Sequence, residues 1–275
     1  MPELPEVETV KNQLCKIVLN KKIASVDVFS TNLKIPVNPD NLQKLVGKQI
    51  SAIQRKGKYI LFRFLDSDFA LVVHLAMAGK LIFQKHPRAV ATHEICRFAF
   101  ADGSSLSYFD HRHFGVVDVV DFNHLPKYLT NVAPDPFEEA WNADTFYQAL
   151  QKKAAPIKSV LLDQHIISGI GNIYACEALF MSQINPWTSA KNVTKDQASV
   201  LLENIKEVLK LGISTGGASF RDYQQLDGGV GNFQSFNKVY SRAGKKCLGL
   251  ACIEIITVQK LGGRSTYFCI VCQKK

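Results

Sequence analysis

Lys58-Tyr59-Ile60-Leu61-Phe62-Arg63-Phe64-Leu65 is the stretch on which the fold turns. Ile60, Phe62 and Phe64 alternate with Leu61, Arg63 and Leu65, so a strand here buries at least one face. Similar short segments, β-branched or aromatic and divided by turn residues, flank it at 22–29, 49–55, 71–75, 81–84, 95–101, 105–109 and 116–120. Many short strands at close spacing predict a β-sandwich. Residues 126–137, marked by Pro134-Asp135-Pro136, read as a linker. Beyond it the apolar period becomes helical, near 144–153, 156–163, 172–181 and 194–211, and strand character returns after Phe236. The fold class is therefore α+β.

The chain has 275 residues, ample for two domains, and its hydrophobic fraction of 47% is that of a globular protein. A formal net charge of +9 points to a polyanionic partner, most economically nucleic acid, although a basic soluble enzyme has the same balance. The N-terminus is acidic and lacks a secretory core, and no apolar run approaches the ~20 residues of a membrane span. Of seven cysteines, four cluster near the C-terminus while Cys15, Cys96 and Cys176 lie in apolar surroundings. That usage suits a reducing cytosol with one metal site and three buried thiols.

Three stretches carry chemistry. The first is Met1-Pro2-Glu3-Leu4-Pro5-Glu6-Val7-Glu8-Thr9-Val10, where Val7, Val10 and Leu14 give a helix one apolar face. A proline and early acidic residues suit any helix start. If Met1 is removed, however, Pro2 becomes a secondary amine with a reference pKa of ~7.7–8.0. Its neutral fraction can attack an aldehyde-like carbon and form an iminium. The second is Cys247-x4-Cys252-x16-Cys269-x2-Cys272, whose spacing suits a tetrahedral four-thiolate zinc site. Two strands, 253–258 and 264–268, joined through Leu261-Gly262-Gly263, would form a hairpin held at its base by metal, with Arg264 placed to meet a phosphate. Four cysteines leave no open position, so the metal is structural. The third is Gly169-Ile170-Gly171-Asn172, a glycine-flanked turn before a helix and thus a ready anion site or an ordinary tight connection. Asn172 can donate or cap there, and Lys158 on the preceding helix can add charge.

With Pro2-Glu3-Leu4-Pro5-Glu6-Val7-Glu8-Thr9, Gly57-Lys58-Tyr59, His74-Leu75-Ala76-Met77-Ala78-Gly79, Asp110-His111-Arg112-His113-Phe114-Gly115, Gly169–Tyr174, Arg221-Asp222-Tyr223, Gly263-Arg264-Ser265-Thr266 and the four cysteines in order, the chain resembles the formamidopyrimidine-DNA glycosylase family. The resemblance runs from residue 2 to Gln273. It implies an N-terminal β-sandwich catalytic domain over 1–130, flanked by the N-terminal helix. A helical DNA-binding domain with a helix–two-turns–helix motif follows over 131–236, and a β-hairpin zinc finger over 237–275.

The resemblance further implies a bifunctional repair enzyme that excises 8-oxoguanine and formamidopyrimidines from double-stranded DNA and cuts at abasic sites. It makes Pro2 the nucleophile and Glu3 its acidic partner. Lys58 holds the phosphate beside the lesion. Asn172 and Arg264 clamp phosphate, while His74 and Lys158 contact DNA. Met77, Arg112 and Phe114 fill the gap left by the extruded nucleotide, and Glu6 with Ser219, Arg221 and Tyr223 forms the base pocket. One structural Zn2+, a monomer and a cytoplasmic location complete the expectation. Three departures stand out: four residues rather than two inside the first cysteine pair, His113 where an arginine is expected, and Thr188 after Pro186-Trp187. The last two predict weaker, less salt-sensitive binding. An endonuclease VIII-like enzyme for oxidised pyrimidines and a non-catalytic damage-binding protein are the alternatives.

Overall fold

The computed structural model describes residues 1–218, 226 and 229–274. They divide into two compact units, Met1–Thr130 with Thr215–Asn232, and Asn131–Ser214 with Phe233–Lys275.

The first unit begins with helix α1 (Leu4–Ile17), which buries Leu4, Val7, Val10 and Leu14 along one face. Strand β1 (Ile23–Val28) and a short helix α2 (Pro39–Gln43) follow. Then come β2 (Ile50–Lys56), β3 (Tyr59–Phe64), β4 (Phe69–His74), β5 (Lys80–Gln84), β6 (Glu94–Phe100), β7 (Ser105–Phe109) and β8 (Val116–Asp121). Each of the eight expected strands is present. They form two four-stranded sheets, ordered β1-β6-β7-β5 and β2-β3-β4-β8, and every pairing is antiparallel. Ile60, Phe62, Phe64, Leu71 and Val73 of one sheet share a core with Phe98, Leu106 and Tyr108 of the other, and Val7, Val10 and Leu14 join it.

Leu61 is also buried, which simple alternation does not explain. It packs with Ala70, Val72 and Val120 beneath Leu129 of helix α3 (Lys127–Thr130), so the second sheet is covered on both faces there. The expected linker at 126–137 therefore opens as a helix. Leu129 cannot remain in solvent while an apolar sheet face stands uncovered. The opposite correction applies to Cys15, which is half-buried against the core rather than enclosed.

Glu94, at the start of β6, is a buried carboxylate that accepts from Arg97 Nε and Nη2 (both 2.9 Å) and from the Ala91 N–H (3.0 Å). Arg88 Nη1 lies 2.9 Å from its Oε2. Burial pushes its pKa up, but the hydrogen bonds, led by those from Arg97, outweigh it and hold the group at about 2. A depressed folded-state pKa stabilises above the ordinary value of 4.5, and that stability is lost as pH falls toward 2. Glu94→Gln leaves two arginines without their carboxylate. Urea unfolding at pH 7 should show a loss of about 3 kcal/mol, together with a flatter acid limb between those two pH values.

The second unit contains α4 (Ala143–Gln151), α5 (Ile157–Leu161), α6 (Asn172–Met181) and α7 (Lys195–Ser214), then β9 (Thr257–Leu261) and β10 (Arg264–Phe268). Helix α6 is buried continuously from Ile173 to Phe180 and, like α4, packs on α7. Its Glu177 carboxylate accepts the backbone N–H groups of Lys238 (2.8 Å), Val239 (3.0 Å) and Tyr240 (2.7 Å), tying the chain that leads into the cysteine region to the helices. Burial raises the Glu177 pKa despite these donors.

The expected strand at 253–258 begins later, at Thr257. Residues before it pair elsewhere: Glu254 accepts from Cys247 N–H (2.8 Å), and Ile256 exchanges bonds with Gly244 and Lys245 (both 2.9 Å). Within the hairpin Leu261 pairs with Arg264 across Gly262-Gly263, whose φ values of 56° and 76° favour glycine at both turn positions. No helix of the described residues is long and apolar enough to cross a membrane.

Candidate functional site: the head of helix α1, two glycine-bounded loops and a cysteine cluster

Glu3 caps α1 and is 3% exposed, and Pro2 is buried beside a Met1 that is 49% exposed. Glu6 accepts the Glu3 N–H at Oε2 (2.7 Å) and the Ala218 N–H at Oε1 (2.7 Å). Gly217, at φ 85°, packs so closely that a Cβ would come within 2.8 Å of Glu6 Cγ. Glu6 thus ties the helix head to the returning Thr215–Asn232 segment, which the sequence groups with the helices and the structure places in the first unit. Ser219, Arg221 and Tyr223, expected to act with Glu6, lie outside the described residues.

Lys58 occupies the β2–β3 turn after Gly57 and is 6% exposed. Arg55 braces that turn, donating from Nη1 to the Gly57 carbonyl (3.0 Å) and from Nε to Glu8 Oε2 on α1 (2.7 Å). His74, paired with Tyr59 across β3–β4, stacks on that ring at 4.5 Å. Burial lowers the His74 pKa, and the charges of Lys58 and Lys34 lower it further, to about 4. At neutral pH the imidazole is therefore uncharged.

The motifs ending at Gly79 and Gly115 are joined by one side chain, Tyr108. Its hydroxyl donates to the His74 carbonyl (3.1 Å), and a Cβ on Gly79 or Gly115 would collide with it. Asp110, fully buried, accepts the N–H of Arg112 at Oδ1 (3.0 Å) and of Gly115 at Oδ2 (2.8 Å). These anchors hold Met77 and Phe114 outward, at 38% and 48% exposure. The Arg112 guanidinium sits 5.2 Å from the Phe114 ring centroid. Tyr108 carried no site signal of its own; the recurring terminal glycine of both motifs was the trace it left.

In the second unit, Gln164 shapes the glycine turn, accepting the Gly169 N–H at Oε1 (2.9 Å) and donating from Nε2 to the Leu162 and Ile170 carbonyls (both 3.0 Å). Gly171, not Asn172, occupies the cap position of α6. Asn172 Nδ2 donates to the Ser265 carbonyl (2.9 Å). Lys158 is fully buried, with Nζ donating to Thr266 Oγ1 (2.7 Å) and to the same Ser265 carbonyl (3.3 Å). Its ammonium lies under β10 rather than on the surface, beneath a hairpin whose Arg264 is exposed. Lys158→Met should destabilise β10 by about 1–3 kcal/mol, read as faster amide hydrogen exchange at Ser265 to Phe268.

The four cysteine sulfurs lie within 4.8 Å of one another, with Cys247–Cys272 and Cys252–Cys269 each at 3.7 Å. The N–H groups of Gly249 and Cys272 point at Cys247 Sγ (3.3 Å) and Cys269 Sγ (3.5 Å). The four-residue knuckle closes because Gly249 has no Cβ, which would otherwise stand 2.7 Å from Cys272 Sγ, and because Ala251 takes φ 53°. Such a cluster can hold one metal ion with no open position.

The Formamidopyrimidine-DNA glycosylase N-terminal domain matches residues 1–117, and the Formamidopyrimidine-DNA glycosylase H2TH domain matches residues 132–224. The formamidopyrimidine-DNA glycosylase of Wolbachia sp. subsp. Brugia malayi is 39% identical over 273 residues, covering 99% of this chain and 100% of that one. This chain belongs to the formamidopyrimidine-DNA glycosylase family. The Zymomonas mobilis member is 37% identical over 276 residues, with 100% of both chains covered. Among solved structures, a mutant Lactococcus lactis relative bound to Fapy-dG-containing DNA superposes with TM-score 0.91 at 35% identity, with both chains fully covered. Another Lactococcus lactis structure, complexed with abasic-site DNA, gives TM-score 0.89 at 34% identity over 99% of this chain and 100% of that one.

Proposed function

We propose that this protein is a base-excision-repair DNA glycosylase with abasic-site lyase activity, acting on oxidised purines, formamidopyrimidines above all, in double-stranded DNA. The observation that carries the reading is a full-length family relationship, in a chain with Pro2-Glu3 at the head of α1.

A base inside a duplex must be extruded before its glycosidic carbon is reached, at a cost of a few kcal/mol. Met77 and Phe114 replace the lost stacking, and Arg112 hydrogen-bonds the orphaned partner base. With Met1 removed, the Pro2 nitrogen lone pair attacks C1′ as the bond from C1′ to the base breaks, and the proton lost from that nitrogen balances the one the departing base takes up. Glu3 delivers a proton to the ring oxygen, the sugar opens, and the iminium forms. Successive β- and δ-eliminations then expel the flanking phosphates. Lys58 and neutral His74 hold the phosphate beside the lesion, and Asn172 and Arg264 clamp its neighbours. Lys158 serves by supporting the strand that presents Arg264. Glu6 with Ser219, Arg221 and Tyr223 forms the base pocket.

The metal is one Zn2+. A tetrahedron with ~2.3 Å metal–sulfur bonds has edges of about 3.8 Å, close to the 3.7 Å separations of Cys247–Cys272 and Cys252–Cys269. Its contribution is folding energy for a hairpin too small to order itself. We assign functional segments 1–130, 131–236 and 237–275 to catalysis, helical DNA binding and the zinc finger, in a cytoplasmic monomer.

Borohydride trapping on a duplex containing a formamidopyrimidine lesion tests the reading. A covalent adduct mapped to Pro2 is expected. Binding with no adduct, or trapping confined to oxidised pyrimidines, would overturn it.

A further inference from the structure

A cavity of about 530 Å³ opens on the first unit, lined among others by Lys80, Gln84, Arg88, His93, Phe109 and His111. None of Pro2, Glu3, Glu6, Lys58 or His74 lines it, so it is separate from the residues assigned to excision. Its rim includes Ala78 and His111, the chain neighbours of Met77 and Arg112.

Two features mark it as a built site. Gln84 Oε1 and Arg88 Nη2 are buried and find no hydrogen-bond partner among the described residues, and both belong to residues that line this cavity. A buried donor or acceptor without a partner carries a desolvation cost that an incoming polar group relieves. The donor is also held in place. Arg88 Nη1 donates to the Ala89 carbonyl (2.7 Å) and faces Glu94 at 2.9 Å, while the guanidinium lies 5.2 Å from the Phe109 ring centroid.

The second feature is charge. Lys80 Nζ sits 5.9 Å from the same Phe109 centroid, and the His93 and His111 rings are 6.0 Å apart. No carboxylate is among the described lining residues. The nearby Glu94 is shared by Arg88 and Arg97, leaving that trio with a net positive charge.

A cationic wall with a fixed guanidinium matches a phosphate. The Gln84 carbonyl oxygen, an acceptor that would repel phosphate, matches an exocyclic amino group. A ligand bearing both is a nucleotide whose base has an amino group, and the volume lies within the usual range for such pockets. We propose that this cavity is a second nucleotide-binding site, with the phosphate on Lys80 and Arg88 and the base amino group on Gln84. The nucleotide comes either from the DNA strand beside the wedge or from solution.

The test is calorimetric titration of the full metal-loaded chain with dCMP, deoxycytidine and inorganic phosphate, alongside amide shift mapping. One dCMP site is expected, about tenfold tighter than either fragment, with shifts at Gln84, Arg88, His93 and His111. Lys80→Gln should weaken dCMP and phosphate together by about tenfold, whereas Gln84→Leu should weaken dCMP alone. Shift mapping on the unaltered chain decides the matter if a variant misfolds. Absence of dCMP binding, shifts confined to other residues, or phosphate binding as tightly as dCMP would overturn the proposal.

A lesion-containing duplex separates the two sources. Exclusion of dCMP by the duplex, with weaker duplex binding by Lys80→Gln, assigns the site to DNA, and simultaneous binding assigns it to free nucleotide. Only this last arm rests on the repair reading, so failure of that reading leaves the mononucleotide result standing.

Discussion

A chain prepared so that Met1 stays attached, for example by inserting a lysine between Met1 and Pro2 to block processing, should cleave lesion-containing strands at least about 10³-fold more slowly than the processed chain. An amide nitrogen has its lone pair delocalised into the carbonyl and cannot attack C1′. The geometry is favourable for processing: Met1 is half exposed while Pro2 and Glu3 beneath it are buried. Single-turnover cleavage with parallel duplex-binding measurements checks this, because binding should change little while chemistry stops. Glu3→Gln should slow cleavage by about 10²–10⁴-fold with the amine intact. Full-rate cleavage by a chain whose mass shows Met1 still present would end the Pro2 account.

Removing the metal should have the next largest effect. Structural zinc in small finger modules contributes roughly 10–16 kcal/mol at pH 7. The cysteine region has a small apolar core of its own: Val258, Ile255, Ile270 and Leu250 are all well exposed, and its buried apolar residues are mainly Val239, Cys247, Ile256, Phe268 and Cys269. Chelation, or Cys269→Ala, should therefore abolish hydrogen-exchange protection across Thr257–Phe268. Duplex affinity should fall by at least about 100-fold, because Arg264 and the Ser265 carbonyl held by Lys158 and Asn172 lose their frame. The sandwich has its own core and should keep its near-ultraviolet signal. Metal analysis should return one zinc per chain. A stripped chain that keeps both the protection and the affinity would sink the structural-zinc reading.

The two effects report on different links between residue and function. The first is chemistry at one atom, and since a proline followed by glutamate suits any helix start, the expectation of it rests on the family motifs that follow in order along the chain. The second is folding energy, legible because thiol spacing limits what four cysteines can reach.

Much of the architecture follows from local pattern. Period-2 alternation and turn residues locate all eight sandwich strands, since a strand's side chains must sort to two faces whatever lies beyond them. The helical period places α4, α6 and α7 for the same reason, and cysteine spacing anticipates the cluster. Other facts depend on partners distant in the chain, which no local pattern contains. Leu129 buries itself on the outer sheet face and turns a linker into a helix. Glu254 and Ile256 pair with the chain before Cys247 and delay β9. Lys158, expected to add charge at the glycine turn and to contact DNA, is an internal support because Thr266 and the Ser265 carbonyl stand above it. The Tyr108 hydroxyl decides that two loops must end in glycine. Sequence by itself determined the eight sandwich strands, the main helices and the cysteine spacing, because those depend on neighbours along the chain. Tertiary structure alone decided which polar atoms are already satisfied, because a hydrogen-bond partner is set by distance in space.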